Sequence, residues 1–305
     1  MTLKDLEYFI AISREKSITR AAASLYVAQP ALSQCLQKIE KELGVSLIVR
    51  SSTGIKLTNE GVFFLEFAEK VLQERKELSK KIQDMNSAGN GEVRLGFTGT
   101  QATYVLPYIL PEFQAKYPGV NITLTEASSD ELETQLMRNE VDIGILHPPI
   151  CNASKLDFFE ISTDEMMVVP RTNSCYQNFV YHKDGCAEPY LNLDFFRQEP
   201  VILPPSPQRS RIVCDQIFAN AGIVPQIQQV CRNIITLNAL AEVDYASALI
   251  PRKQLSPELK RRHIFRIDES ISVPYPFVVA TAKEVYLSVA VRNLRDEFMK
   301  KKYSF

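Results

Sequence analysis

A polar stretch near the start of the chain carries side chains that could read nucleic-acid bases. Apolar residues recur at four- and three-residue spacings from Leu32 to Leu43, which predicts one buried helix face. The opposite face carries amides, a hydroxyl and two lysines: Gln29, Ser33, Gln34, Gln37, Lys38 and Lys41. Amides and hydroxyls both donate to and accept from base edges, whereas a carboxylate would repel the phosphates. An ordinary solvated helix is the alternative interpretation of this face alone.

The elements around this stretch predict how it is positioned. Ser17 suits the N-cap of a preceding short helix that contains three consecutive alanines. Pro30 is expected at the first position of the second helix and Gly44 at its end. Two short strands, 45–49 and 54–57, then flank a basic, hydroxyl-rich turn. This order is typical of a winged helix-turn-helix, whose second helix enters the major groove of DNA.

Five short motifs occur along about the first sixty residues: Leu6-Glu7-Tyr8-Phe9, Ser17-Ile18-Thr19-Arg20-Ala21-Ala22, Ala28-Gln29-Pro30-Ala31-Leu32-Ser33, Ile39-Glu40-Lys41-Glu42-Leu43-Gly44 and Leu57-Thr58-Asn59-Glu60-Gly61. Together they closely resemble the N-terminus of the LysR-type transcriptional regulators, almost continuously over about the first sixty residues. The resemblance implies that the second helix contacts DNA and that a wing begins at Arg50. The expected DNA contacts are Thr19, Gln29, Pro30, Ser33, Gln34, Gln37, Lys38, Arg50 and Ser51.

One of these positions departs from the family pattern. Position 34 is most often arginine in the family, and here it is Gln34. Arginine reads guanine through two parallel hydrogen bonds, whereas glutamine pairs in the same way with adenine. We therefore expect adenine, or a weaker contact, to be read at this position.

Composition and charge limit the possible partners. The chain has 305 residues, of which 45% are hydrophobic and 23% charged, values that are ordinary for a globular protein with more than one domain. Its formal net charge of -1 argues against a general polyanion binder. Residues 1–58 nevertheless carry an excess of basic over acidic side chains, a modest positive footprint that suits DNA.

The cysteine spacing and the first residues of the chain indicate whether the protein binds a metal and where in the cell it is found. Six cysteines show neither a CxxC pair nor metal-ligand spacing, so we expect free thiols and no metal. The peroxide-sensing cysteines of the family correspond approximately to Arg209 and Phe218. Acids among the first residues exclude a signal peptide, and no apolar run reaches the length of a membrane span. We therefore expect a cytoplasmic protein with no membrane contact.

A long helix is predicted after the wing, from Asn59 to about Met85. Its apolar residues repeat at spacings of three and four, except for a charged residue at Arg75: Phe64, Ala68, Val71, Leu78, Ile82 and Met85. This pattern indicates a coiled-coil seam that pairs with a second chain. Packing of the helix on its own domain is the alternative. A hinge at 87–91 is rich in residues that tolerate positive φ.

From residue 92 onward, strands alternate with helices, which predicts parallel sheets. The expected strands are 93–97, 121–127, 141–146, 166–169, 200–203, 226–230, 248–250, 264–267 and 277–281, with helices over 103–117, 129–139, 208–221, 236–243 and 284–301. The order of elements resembles the effector domain of the same family. We therefore expect an α+β multidomain protein: an N-terminal winged helix-turn-helix (1–58), a linker helix and hinge (59–90) and a two-lobed α/β effector-binding domain (91–305) like the type 2 periplasmic binding proteins. Lobe I would comprise 91–161 and 268–305, and lobe II would comprise 162–267.

Ligands of doubly wound sheets bind at the carboxyl ends of strands, beside helix N-termini. Four segments at predicted strand ends carry hydroxyl, amide, imidazole or guanidinium groups, which suit a small anion. The expected effector contacts are Thr98, Thr100, Gln101, Thr103, Ser128, Ser129, His147, Ser206 and Arg209. Plain N-capping is the alternative explanation of each hydroxyl. Asp244, in the turn before the last strand of lobe II, replaces a family glycine, and aspartate can adopt the left-handed conformation.

Three classes of function compete. An enzyme is disfavoured because the chain lacks GxGxxG, P-loop and GxSxG motifs and its three histidines are scattered, so we expect no catalytic residue and no cofactor. A transport-type binding protein would need an export signal, and an architectural DNA binder leaves the α/β domain unexplained. We therefore expect a regulator that binds double-stranded DNA at interrupted inverted repeats in promoters. It would form a homodimer through the linker helix, further assembled into a homotetramer, and respond to a small anionic metabolite.

Overall fold

The computed structural model of the chain describes residues 1–51, 54–86, 90–99 and 102–301. At a few of these positions only the backbone is described: Arg50, Ser51, Gln83, Asn86 and Ala102. The chain forms two compact units, Met1–Ala88 and Gly89–Phe305. Residues 87–89 of the predicted hinge lie outside the described residues.

The first unit is a helix-turn-helix followed by a hairpin and a long helix. Its elements are α1 (Leu3–Glu15), α2 (Ile18–Ser24), α3 (Gln29–Leu43), β1 (Ile48–Ser51), β2 (Gly54–Leu57) and α4 (Asn59–Asn86). Ser17 caps α2 as predicted, since its hydroxyl accepts from the backbone N–H of Arg20. Gly44 ends α3 in the left-handed conformation, with φ of 71°, which glycine adopts without steric cost. The antiparallel pairing of β1 and β2 forms the wing.

Two predicted element bounds in this unit were wrong. α3 begins at Gln29, so Pro30 is its second residue rather than its first. The N–H groups of the whole first turn lack helical partners, so proline fits there equally well. The first wing strand begins at Ile48 rather than at residue 45, because Val45 and Ser46 are exposed and precede the pairing with β2.

The long helix α4 has two parts with different surroundings. Phe64 and Ala68 are buried in the core of the first unit, where the Phe64 ring meets Phe9 edge-on with centroids 4.8 Å apart. The later apolar positions of the predicted seam are open: Leu78 is 58% exposed and Ile82 is 50% exposed. Packing on its own domain, the alternative interpretation, therefore holds for the first half of α4. The second half keeps an apolar row without cover from the described residues.

The second unit contains two mixed sheets with helices against them. In chain order its elements are β3 (Asn90–Phe97), α5 (Ala102–Lys116), β4 (Gly119–Glu126), α6 (Ser129–Met137), β5 (Ile143–Leu146), β6 (Leu156–Asp164), β7 (Met166–Val169), β8 (Val180–Tyr181), β9 (Tyr190–Leu191), β10 (Val201–Leu203), α7 (Arg209–Asn220), β11 (Ile227–Val230), α8 (Ile234–Glu242), β12 (Ser247–Pro251), β13 (Tyr275–Ala282) and α9 (Val289–Lys300). One sheet has the order β4-β3-β5-β13-β6 and the other β11-β10-β12-β7. β3 is parallel to β4 and β5, and β10 is parallel to β11 and β12, as the alternation predicted.

The chain passes between the two sheets twice. β6 stays in the five-stranded sheet to Asp164, past the lobe boundary expected at 161, and β7 opens in the other sheet at Met166. The return follows the isolated bridge at Arg266 and enters β13 at Tyr275. The five-stranded sheet with its helices thus forms lobe I, and the four-stranded sheet forms lobe II.

Several expectations in this unit were wrong or incomplete. β6 was not predicted, although it pairs along its whole length with β13. The predicted strand 264–267 makes only isolated bridges, at Phe265 and Arg266. The last helix starts at Val289 rather than at 284, because Ser288 provides the N-cap by accepting from Val291 N. Asp244 does adopt a positive φ, 57°, as its place in the turn predicted.

Candidate functional site

The outer face of α3 presents the predicted polar side chains to solvent. Gln29, Gln34 and Gln37 are exposed, and Ser33 is half-buried. The Gln29 amide donates to the Ser33 hydroxyl at 3.3 Å, so these two side chains are already ordered relative to each other. Thr19 on α2 is exposed as well. An amide-rich face on the second helix, free of carboxylates at its N-terminal end, suits base-edge contacts in a major groove.

Lys38, another expected DNA contact, forms an ion pair with Asp5 of α1. The Lys38 ammonium donates to Asp5 Oδ2 at 2.8 Å, and the Cys35 thiol lies 3.4 Å from Asp5 Oδ1. Burial alone would raise the pKa of Asp5, but hydrogen bonds from Lys38, Thr2 and Cys35 lower it to about 2. Sequence reasoning missed Asp5. The only signal was an acid three residues after Thr2, which also forms a capping box at the start of α1.

The wing is tied to the helices by its backbone. The N–H of Ile55 in β2 donates to the carbonyl of Lys16, in the turn between α1 and α2, at 3.1 Å. An added Cβ at Gly54 would lie 2.8 Å from the same carbonyl. Arg50 and Ser51 belong to β1, and their side chains lie outside the described residues. The wing is therefore fixed relative to α2 and α3.

In lobe I of the second unit, Ser128, Ser129 and His147 lie at strand ends. Ser128 caps α6 in a capping box with Glu131, which is the alternative role considered for it. The buried hydroxyl of Ser129 accepts from His147 N at 3.3 Å. The His147 ring is stacked on Tyr275, with centroids 3.7 Å apart, and its Nδ1 donates to Pro276 O at 2.6 Å.

The surroundings of His147 determine its charge. Burial lowers the pKa of His147 to about 3, so the imidazole is neutral near pH 7. Only 2% of the residue is exposed. The structure therefore assigns His147 a supporting position behind Ser129 rather than an open position for contact with a ligand.

Arg209, the first residue of α7 in lobe II, crosses to lobe I. Its Nη2 lies 2.5 Å from Asp130 Oδ1 and 3.4 Å from Glu133 Oε1, both on α6, and 3.6 Å from Cys151 Sγ. The side chain is 8% exposed, and its Nε is buried with no hydrogen-bond partner among the described residues. The predicted cation, Arg209, thus lies between the two lobes, where it contacts two carboxylates of lobe I.

Three of the remaining predicted effector residues lie within the described part of the chain. Thr98 follows β3, and its backbone N–H donates to Ile145 O at 3.2 Å. Thr103 in the first turn of α5 and Ser206 before α7 are exposed. Thr100 and Gln101 lie outside the described residues. The contacts bring Ser129 and His147 together, and they bring Arg209 to α6 beside them.

Sequence reasoning missed the two carboxylates that meet Arg209. Asp130 and Glu133 stand three residues apart on α6, which places them on one helix face, and this spacing was the available signal. Glu133 is fully buried and also accepts from the backbone N–H groups of Cys151 and Asn152, at 3.2 and 2.8 Å. Asp130, Glu133 and Cys151 have ligand atoms within 4.8 Å of one another, a spacing that a metal could use. The Arg209 guanidinium supplies the positive charge at this place.

All six cysteines are free thiols, and one of them has an unusual environment. Cys186 lies 3.5 Å from the Tyr190 hydroxyl and 3.3 Å from Arg266 Nη1. The hydrogen bond from Tyr190, followed by contacts with Glu188 N and Arg266, lowers the pKa of Cys186 below its usual value. By contrast, burial raises the pKa of Cys214 to about 12.

Comparison with known families identifies the two units. Residues 86–302 match the family described as "LysR substrate binding domain", and residues 3–62 match "Bacterial regulatory helix-turn-helix protein, lysR family". The chain belongs to the LysR family. It is therefore a LysR-type DNA-binding transcriptional regulator with an effector-binding domain, as the N-terminal motifs implied.

Individual relatives agree with this assignment. The LysR-family chain is 30% identical over 231 residues to the HTH-type transcriptional regulator AlsR of Bacillus subtilis, covering 75% of this chain and 73% of the relative. It is similar to full-length BenM, with 25% identity, a TM-score of 0.57 and coverage of 98% and 96% of the two chains. CbnR, a LysR family transcriptional regulator, has the same fold at 22% identity, with a TM-score of 0.59 and 99% of both chains covered.

The fold class predicted from the sequence is confirmed by these likenesses and by the architecture. It comprises a winged helix-turn-helix, a long linker helix and a two-lobed α/β effector domain. Within the described residues, no helix combines the length and the apolar character needed to cross a membrane.

Proposed function

We propose that this regulator reads an interrupted inverted repeat at promoters and that a small oxyanion, bound between the two lobes, alters its activity. The proposed DNA contacts are the side chains Thr19, Gln29, Pro30, Ser33, Gln34, Gln37, Lys38, Arg50 and Ser51. The proposed effector contacts are Thr98, Thr100, Gln101, Thr103, Ser128, Ser129, Ser206 and Arg209, with His147 supporting Ser129. We assign 1–58 to DNA binding, 59–90 to dimerisation and 91–305 to effector binding.

The DNA-reading part of the proposal rests on the exposed amide face of α3. Gln34 replaces the arginine that usually reads guanine, so adenine is the base expected opposite it. Replacing Ser33 and Gln34 together by alanine should cost about 1–3 kcal/mol of discrimination for one good bidentate contact. Binding of the purified protein to the intergenic DNA upstream of its own gene, and to random DNA, should be measured across a salt series. Equal losses on both DNAs would show that these side chains do not read bases.

One observation supports the effector site more than any other: Arg209 Nε is a buried donor with no partner among the described residues. A buried donor without an acceptor is costly, and an oxygen of a bound anion would satisfy it. Asp130 is half exposed and binds the same guanidinium through Nη2. An incoming carboxylate or phosphate could therefore take the place of the Asp130 carboxylate. This exchange would loosen the contact between α6 and α7 and so change the angle between the lobes.

The effector site can be tested without knowing the natural ligand. Inorganic phosphate and a panel of small mono- and dicarboxylates are added to the full chain, and the shift of its unfolding midpoint is measured. We expect at least one anion to stabilise the wild type, and the shift to disappear in Arg209→Gln. Arg211→Gln is the matched control, because Arg211 lies on the same helix and pairs instead with Asp215 at 2.7 Å. An anion-induced shift that survives in Arg209→Gln would refute the site.

The exposed apolar residues of α4 are the basis for the proposed assembly of the protein. The apolar row on the second half of α4, from Leu78 to Met85, suits pairing with a second copy of the chain. Two such dimers would present four reading helices, which suits a repeat with an interruption between its halves. A homotetramer in the cytoplasm is the working form that we propose.

A further inference from the structure

Tyr26, in the turn between α2 and α3, combines two unusual properties. Its φ is 54°, in the left-handed region that bulky residues rarely occupy, and 96% of the residue is exposed. Hydrogen bonds on both sides fix this conformation: Tyr26 N donates to Ala23 O at 3.2 Å, and Val27 N donates to Ala22 O at 3.0 Å. The backbone strain at Tyr26 is therefore imposed by the turn and is not relieved by any packing of its ring.

The neighbours of Tyr26 have an evident structural role, which Tyr26 lacks. Leu25 and Val27 both pack against the core of the first unit. Glycine or asparagine would adopt the left-handed conformation of Tyr26 more readily, and neither would lose an internal contact of the ring. Residues held in strained conformations without internal benefit are candidates for contact with a partner.

The position of Tyr26 indicates which partner. It precedes the first turn of α3, and the N-terminal end of the second helix is the end that approaches base edges in helix-turn-helix proteins. With α3 in the groove as proposed, a side chain just before that end would lie beside the phosphates at the rim. No acidic residue occurs in the segment 17–34, so this stretch of the chain offers phosphates no carboxylate that would repel them. A tyrosine hydroxyl is one of the groups that donate to phosphate oxygens.

We propose that the Tyr26 hydroxyl donates a hydrogen bond to a DNA phosphate at the rim of the major groove, and so sets the depth at which α3 enters. The inference depends on the proposed entry of α3 into the groove. A phosphate contact carries no sequence information, so its loss weakens binding to all DNA sequences by the same factor. Tyr26 is thus a positioning residue, distinct from the base-reading side chains of α3.

The test compares two variants that separate the hydroxyl from the backbone strain. Tyr26→Phe removes only the hydroxyl, and we expect about a three- to tenfold loss of affinity on both upstream and random DNA, with an unchanged unfolding midpoint. Tyr26→Gly relieves the strain, and we expect a higher unfolding midpoint together with a loss of affinity at least as large. Tyr108→Phe, at a 61% exposed position in the second unit, serves as the control and should change neither quantity.

Several outcomes would overturn the inference. Unchanged affinity of Tyr26→Phe on both DNAs would exclude the phosphate contact, and a loss confined to upstream DNA would make Tyr26 a base reader. A lower unfolding midpoint of Tyr26→Gly would show that the ring has a structural role after all. Gln34→Ala distinguishes failure of this inference from failure of the proposed reading face. If Gln34→Ala loses discrimination while Tyr26→Phe is unaffected, only the role of Tyr26 is wrong.

Discussion

The Lys38 ammonium lies 2.8 Å from the Asp5 carboxylate, so a cation on the outer face of α3 is held by a side chain of α1. Asp5 is largely buried, and Lys38 is about half exposed. The pair joins α1 to the outer face of α3 and limits where the lysine can reach. Its strength depends on the ionisation of Asp5, which makes the stability of the first unit sensitive to acid.

Replacing Asp5 by asparagine should lower stability at neutral pH and reduce its acid dependence. The pKa of Asp5 in the folded protein, about 2, lies below its ordinary value of 3.8. A lowered pKa stabilises the fold fully above the ordinary value, and this stabilisation is lost as the pH falls through 2. Urea midpoints of wild type and Asp5→Asn should therefore differ most at pH 7 and converge between about pH 4 and 2. A gap that stays constant over this range would contradict the assignment, and Glu7→Gln, on the same helix, provides the control.

The two carboxylates on Arg209 should differ strongly in their contribution to stability. Glu133 is fully buried and accepts three hydrogen bonds from Cys151 and Asn152 in addition to its contact with Arg209. Glu133→Gln places an amide donor among these donors and should cost about 1–3 kcal/mol of unfolding free energy. Asp130 is half exposed, so Asp130→Asn should cost less than about 1 kcal/mol. Chemical denaturation of the two variants checks this order, and equal losses would contradict it.

Gly61 should be intolerant of alanine although it lies inside a helix. Helical glycine to alanine normally stabilises a protein by roughly 0.5–1 kcal/mol. At Gly61, however, an added Cβ would lie 2.0 Å from the backbone oxygen of Leu47, which also accepts from Thr58 N. Gly61→Ala must displace the chain before the wing, so we expect a loss of about 1–3 kcal/mol. Ser79→Ala, at an exposed position of the same helix, should be nearly neutral, and a stabilised Gly61→Ala would refute the steric argument.

Charges in the second half of α4 should disrupt the proposed dimer without unfolding the first unit. Leu78 and Ile82 are exposed and belong to the apolar row, whereas Ser79 is exposed beside it. We expect Leu78→Asp with Ile82→Asp to raise the dimer dissociation constant by at least tenfold, because a buried carboxylate in a seam is costly. Ser79→Asp should leave the constant within about threefold of wild type. Sedimentation equilibrium measures both, and an unchanged dimer in the double variant would place the interface elsewhere.

Local features of this chain could be predicted because their causes are local. The caps at Ser17 and Gly44, the apolar stripe of α3 and the left-handed Asp244 all depend on residues a few positions apart. The helix-turn-helix and its resemblance to a family depend on the same short spacings. Most of the element order along the second unit was predictable for the same reason, with β6 as the main exception.

What the sequence determined by itself was therefore the family, most of the order of elements and the polar face of α3 that we propose contacts DNA. Tertiary structure decided which charges meet, since Asp5 and Lys38 or Asp130 and Arg209 become neighbours only through packing of distant segments. It also made a strand of β6, whose stability comes from pairing with β13 far along the chain. Neither segment of such a pair shows by its own sequence which remote segment it will contact. Each segment contains only one of the two partners, so the pairing depends on the tertiary structure.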